Sequence, residues 1–173
     1  MKRLGQLGFT LLEMLTVLTI LAVVTSIAVF TMHDHLTRAK LRTTIETIAS
    51  DVRQARWQAQ TRSLPCTMVF DTATHTYTIN GSQQAKLPEG LRFGVDPSVT
   101  GKPNDPYEAP PADGVSFNSG VRRDQTRFYP TGTVSPTGAI YITDGKETMV
   151  VTVAITGRPK IWRSTGGRRW VSL

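Results

Sequence analysis

Cysteine is nearly absent from the 173 residues: Cys66 stands alone. One thiol cannot close an intrachain disulfide, so a packed core has to hold the fold. Cys66 lies in the strand-like run Leu64-Pro65-Cys66-Thr67-Met68-Val69-Phe70, where it reads as a small buried apolar residue. Histidine is scarce as well. His33 and His35 are two apart, do not face each other on a helix, and read with Asp34 as a solvated cluster. His75 is isolated. No Cys/His spacing resembles a metal site, so neither a metal nor a cofactor is expected. Gly166-Gly167 lacks the Gly-Lys-Ser/Thr ending of a phosphate loop, and no nucleophile elbow occurs. The chain therefore reads as a non-enzyme. Acid is the minority charge, with 13 Asp and Glu against 20 Lys and Arg, a net charge of +7. That balance suits an acidic partner such as nucleic acid, anionic lipid or an acidic protein face, and it equally suits plain solubility. Proline is missing before Pro65, so nothing breaks a helix across the N-terminal third.

Hydrophobicity is concentrated at the N-terminus. Lys2 and Arg3 precede a run from Phe9 to Met32 whose only charge is Glu13. These 24 residues make a helix of about 36 Å, enough to cross a hydrocarbon core of about 30 Å. The flanking basic pair predicts a cytoplasmic N-terminus and a C-terminal bulk on the other side of the membrane. A secretory signal would have a shorter apolar region ending at a small-x-small site. An uncleaved signal anchor is the plainer alternative. Glu13 argues against it, because a carboxylate within an apolar span costs on the order of a few kcal/mol and needs a partner. A cut after Gly8 would supply one. Phe9 would then carry an α-amino group one turn from Glu13, and in a staggered stack the amine of one subunit could meet the Glu13 of its neighbour.

Gly8-Phe9-Thr10-Leu11-Leu12-Glu13, after a short basic leader and before about twenty apolar residues, resembles the class III leader of type IV pilins and pseudopilins. The resemblance implies cleavage between Gly8 and Phe9 by a prepilin peptidase, N-methylation of Phe9, and Glu13 as the assembly residue.

Beyond the apolar run, Leu41, Ile45, Ile48, Val52, Ala55 and Ala59 alternate spacings of four and three. They predict one apolar stripe along a helix continuing to about Arg62. Arg38, Arg42, Glu46, Arg53 and Arg56 fall off the stripe and are expected in solvent. A coiled coil is the alternative use of such a stripe, but fewer than three heptads are available. From Leu64 the pattern changes to short strands. Thr67–Phe70 and Thr74–Ile79 suggest a hairpin around Asp71-Thr72-Ala73, and Leu91–Val95 a further strand. Residues 96–114 hold five of the ten prolines and read as a long surface loop. Val115–Phe117, Thr126–Tyr129, Ala139–Thr143, Met149–Ile155 and Pro159–Arg163 read as strands of an antiparallel meander, with Met149–Ile155 central. The expected fold class is α+β, a long N-terminal helix packed on an antiparallel sheet head. Its organisation is a leader at 1–8, a transmembrane helix half at 9–32, an amphipathic half at 33–62 and a β-rich head at 63–173.

Phe128-Tyr129-Pro130-Thr131-Gly132 and Ile155-Thr156-Gly157-Arg158 add a second resemblance, to the head of the minor pseudopilin H family and its FimT-type minor-pilin relatives. These share a phenylalanine-x-proline-x-glycine turn and a terminal threonine-glycine-arginine turn. The last sixteen residues carry Arg158, Lys160, Arg163, Arg168 and Arg169 with no acid, interleaved with Trp162 and Trp170. Basic groups neutralise phosphates and Trp stacks on bases. In FimT-type pilins that bind DNA, a terminal glycine-arginine-x-arginine motif makes the contact. Here Gly157-Arg158-Pro159-Lys160 stands in its place, with lysine lacking the bidentate fork and proline lacking a donor. Strand alternation predicts Arg158, Lys160 and Trp162 on one face and Arg163 opposite. These departures favour a solvated terminal strand and tail, with DNA binding the alternative.

The resemblances imply a minor pseudopilin of a type II secretion or type IV pilus-like filament. It would be single-pass in the inner membrane, with its head periplasmic. Expected partners are other pilin and pseudopilin subunits, the prepilin peptidase and secreted cargo. The alternative is a DNA-binding minor pilin of natural transformation.

Overall fold

The computed structural model describes residues 9–117 and 124–173, with backbone alone for residues 27–34 and 83. The leader at 1–8, Gly8 included, lies outside the described residues. The chain divides into two compact units, the first ending at Leu36 and the second beginning at Thr37. Helix α1, Leu11–Arg62, contributes to both.

In the first unit, Thr10 caps α1: its Oγ1 accepts from the Glu13 N–H at 3.2 Å and its carbonyl accepts from the Met14 N–H. Thr10 and Glu13 have the spacing of a capping box, and Glu13 stands in the first turn, where the helix dipole favours a carboxylate. Leu11, Leu12, Leu15, Leu18, Ile20 and Leu21 are all exposed. Leu11–Ser26, whose side chains are described, amount to roughly 24 Å of helix. Among the described residues no helix is long and apolar enough to cross a membrane.

In the second unit the six stripe residues, Leu41 to Ala59, are each 0 % exposed, joined by Ala49. Helix α1 ends at Arg62. Ser63 takes a left-handed conformation (φ 54°) and Pro65 cannot continue the helix. Arg38, Arg42, Glu46 and Arg53 are exposed as expected, but Arg56 is not: it is half-buried, and its Nε donates to the Gly132 carbonyl at 3.1 Å.

The strands form two antiparallel sheets, correcting the expectation of one. The first contains β1 (Cys66–Asp71), β2 (Thr76–Ile79), β3 (Gln83–Lys86), β6 (Gln125–Phe128) and β7 (Val134–Ser135), in the order β3-β2-β1-β6-β7. The second contains β4 (Arg92–Phe93), β5 (Val115–Phe117), β8 (Gly138–Thr143), β9 (Thr148–Val153), β10 (Pro159–Ser164) and β11 (Trp170–Ser172). Its order is β11-β10-β9-β8-β4, with β5 sharing the edge of β8. The expected β1–β2 hairpin forms, with Asp71 Oδ1 accepting from the Ala73 and Thr74 N–H groups in its turn. Strand β9 is central, as expected. The expected strand at Leu91–Val95 shortens to Arg92–Phe93, and the supposed tail contains β11.

Phe70 of the first sheet stacks on Phe117 of the second at 5.6 Å and meets Phe93 edge-on at 6.0 Å, joining the sheets beside α1. Cys66 is buried in this core, and burial pushes its thiol pKa up. On its other face the second sheet carries a smaller cluster of Ala139, Tyr141 and Val150, flanked by Val95, Trp162 and Trp170. The Pro-rich loop is fastened to β10–β11 beside this cluster. Trp170 Nε1 donates to the Gly101 carbonyl at 2.8 Å, and residues 98–100 exchange backbone bonds with Gly167. Gly101 has no room for a side chain, since a Cβ there would lie 2.5 Å from the Pro106 carbonyl oxygen.

Tyr77 clips the first sheet to α1, its hydroxyl donating to Asp51 Oδ2. Burial, then the Asp51 carboxylate, push the Tyr77 pKa up; burial and the Glu108 charge do the same for Tyr141. A raised phenol pKa means the neutral form is favoured in the folded state. That stability is fully present below the unfolded pKa of about 10 and is lost as pH rises beyond it. Chemical denaturation of the full chain in detergent should therefore show stability falling above about pH 10. Tyr77→Phe should cost about 1–3 kcal/mol at neutral pH by stripping Asp51 of its donor. An unchanged midpoint would deny the clip.

Candidate assembly segment and basic surfaces

Of the three N-terminal candidates, Phe9 and Glu13 are described. Phe9 is 73 % exposed, just ahead of the Thr10 cap, and Glu13 lies in the first turn among exposed apolar side chains. The chemistry available is electrostatic. The first turn presents unsatisfied N–H groups and one carboxylate, with no described cation paired to it.

The five basic C-terminal candidates do not form one surface. Arg158 precedes β10 and lies against α1, lining a hollow of about 470 Å³ with Arg53, Arg56, Trp57 and Gln60. Lys160 is on the strand itself, its Nζ 3.9 Å from the centre of the Trp162 ring. So Lys160 and Trp162 share a face as predicted, while Arg158 belongs to another site. Arg163 lines a separate hollow with Arg38 and Lys146. Arg168 packs over the Tyr107 ring at 5.3 Å, and Arg169 is exposed in the β10–β11 connection. Reading by strand alternation failed at Arg158 because the chain turns at Gly157, two residues before the strand begins, and Arg158 lies outside it.

The residues missed by sequence reasoning are those of α1. Arg53, Arg56, Trp57 and Gln60 have the i, i+3, i+4, i+7 spacing of one helix face, a signal present in the sequence. What the spacing could not show was the turn that faces them. No carboxylate lines this hollow, and Trp57 is 63 % exposed. Guanidinium groups beside an exposed indole can hold a phosphate or carboxylate by charge-assisted hydrogen bonds. Among the described residues no group of three or more His, Cys, Asp or Glu could hold a metal ion.

The two turns that carry the resemblance of the head meet on Arg56. Its Nε binds the Gly132 carbonyl, and its side chain runs along Gly157. Gly157 has φ +67°, and a Cβ there would lie 2.9 Å from Arg56 Cδ and 3.1 Å from the Gly132 oxygen. Gly157→Ala should therefore destabilise the full chain by about 1–3 kcal/mol through backbone strain and displacement of Arg56. In a double-mutant cycle, Arg56→Ala should cost less in the Gly157→Ala background than alone. Strict additivity would mean that the two groups do not act together.

Residues 44–157 match the family model of type II transport protein GspH. Residues 3–29 match that of the prokaryotic N-terminal methylation motif. No curated protein and no solved structure matches the chain. The GspH match covers most of the chain, including the stripe-bearing half of α1 from Thr44 and both turns that meet on Arg56. The methylation motif covers the exposed apolar start of α1 with Glu13. The chain belongs to the GspH family of type II transport proteins, pilin-like pseudopilins with an N-terminal methylation motif.

Proposed function

We propose that the protein is a minor pseudopilin, a structural subunit of a type II secretion or type IV pilus-like filament. A prepilin peptidase cuts it between Gly8 and Phe9, and the new Phe9 amine is methylated. The run Phe9–Met32 holds the subunit in the inner membrane, single-pass, with the head on the periplasmic side. From there it joins other pseudopilins by helix packing, and Glu13 offsets the terminal amine of a neighbour. Its role is assembly, with secreted cargo or other minor subunits meeting the head.

The observation that carries this reading is the asymmetry of α1. The stripe from Leu41 to Ala59 is used up inside the head, whereas Leu11 to Val24 exposes apolar side chains with one carboxylate in the first turn. Such a surface needs lipid or other helices to cover it. Mass spectrometry of the membrane-extracted protein should find a chain beginning at N-methyl-Phe9. An intact Met1 start would sink the reading. Glu13→Ala should still be processed but should enter filaments poorly, and normal incorporation would remove the role given to this carboxylate.

A second reading, a minor pilin that binds DNA, draws support from the three arginines around the α1 hollow. Its contact would centre on Arg53, Arg56 and Arg158 rather than on Arg163, Arg168 and Arg169. The full chain in detergent should then shift a DNA duplex at low salt, with affinity falling steeply as salt rises. Arg53→Ala plus Arg158→Ala should abolish the shift; retention at full strength would reject this site.

A further inference from the structure

The second basic hollow has a different composition and a different place in the chain. It measures about 360 Å³ and is lined by Arg38 of α1, Lys146 and Glu147 of the β8–β9 turn, Arg163 of β10, and the hydroxyl-rich Ser164-Thr165. Three cations face one carboxylate. Glu147 lies 3.9 Å from Arg38, and its side chain is 25 % exposed against 62 % for Arg38, so the guanidinium is the outer partner. Asp96 and Asp144 are not among the lining residues, and one carboxylate oxygen of each is taken by backbone N–H groups. Asp96 Oδ1 accepts from the Ser98 N–H, and Asp144 Oδ1 accepts from the Lys146 and Glu147 N–H groups. The hollow is therefore a net cationic concavity with hydroxyl groups, a composition suited to a phosphate ester.

Chain distance identifies the source of that phosphate. Arg38 follows Met32, the last residue of the apolar run, by six residues. Six residues amount to about 9 Å as helix and about 20 Å fully extended. Whatever the angle between the two units, Arg38 stays that close to the bilayer while the run spans it. The polar layer of a bilayer adds about 5–8 Å on each side of the hydrocarbon core. Arg53, by contrast, follows Met32 by about 32 Å of helix, so the Arg158 hollow has no such constraint. We propose that the hollow formed by Arg38, Lys146 and Arg163 binds the phosphate of an anionic phospholipid headgroup while the subunit waits in the membrane. This rests on the reading that the N-terminal run spans the bilayer. The contact parks the head against the surface, and departure into a filament breaks it.

The test is hydrogen exchange on the full chain reconstituted into nanodiscs of phosphatidylcholine, with or without phosphatidylglycerol. At about 0.1 M salt, where screening extends over about 10 Å, phosphatidylglycerol should slow exchange at residues 145–148 and 163–166. Arg163→Ala should reduce the slowing about fivefold, the weight of one basic residue at an anionic surface. Residues 156–158, at the other hollow, should exchange alike in both discs. Equal exchange at 145–148 and 163–166, with the chain present in both discs, overturns the lipid contact but leaves the membrane span standing. A chain that enters neither disc overturns the span, and the contact with it. Slowing by inorganic phosphate or by a DNA duplex on detergent-solubilised protein, with no response to phosphatidylglycerol, reassigns the hollow and also overturns the proposal.

Discussion

Leu41, Ile45, Ile48, Val52, Ala55 and Ala59 are sealed from solvent along one side of α1, in one core cluster with side chains from both sheets. Each residue of an α-helix is rotated about 100° from the last, so a slip of one position would carry the whole stripe off the sheets. Two polar contacts beside the stripe fix that rotation. Asp51 receives the Tyr77 hydroxyl from β2, and Arg56 reaches the Gly132 carbonyl while lying along Gly157. The first contact holds one sheet. The second holds the β6–β7 turn of that sheet and the β9–β10 turn of the other. Toward the C-terminal end the stripe shrinks to Ala55 and Ala59, and there a turn from each sheet meets the Arg56 side chain.

What could be read from the sequence follows from which forces are local. The stripe is a helix-period signal carried by the chain itself, and all six residues are fully buried. The β1–β2 turn is set by Asp71 and its own neighbours, and it too was legible. The division into two sheets was not, because it depends on β1 pairing with β6. Thr67 faces Arg127 across some sixty residues of chain, and nothing near either residue announces the other. Strand β11 was hidden for a different reason. Gly166-Gly167-Arg168-Arg169 reads as polar tail, and only the pairing of Trp162 with Ser172 and the anchoring of Trp170 on Gly101 show a hairpin.

The same logic divided the candidate sites. Phe9 and Glu13 form a contiguous pattern whose meaning does not depend on folding at a distance. The basic residues near the C-terminus are neighbours in sequence, but a turn, two strand faces and a hairpin distribute them. Arg158 gains its partners from α1, Arg163 from α1 and the β8–β9 turn, and Arg168 from Tyr107. Net charge was therefore a sound guide to there being basic surfaces and a poor one to how many.

The Thr10 cap changes how the Glu13 carboxylate should be understood. An α-amino group created at Phe9 would sit at the positive end of the helix dipole, where a cation is disfavoured. Glu13 stands in that same first turn, so it opposes both the dipole and the amine of its own chain before any neighbour arrives. On the proposed reading, assembly exchanges one partner of this carboxylate for an equivalent one and gains little charge–charge energy by doing so. Lipid already covers Leu11, Leu12, Leu15, Leu18 and Leu21 in the membrane, so the net drive then has to come from their close packing against neighbouring helices, and the charge pair sets the stagger at which they pack. Register by electrostatics and adhesion by apolar packing is the division of labour that a single carboxylate in an apolar helix can support.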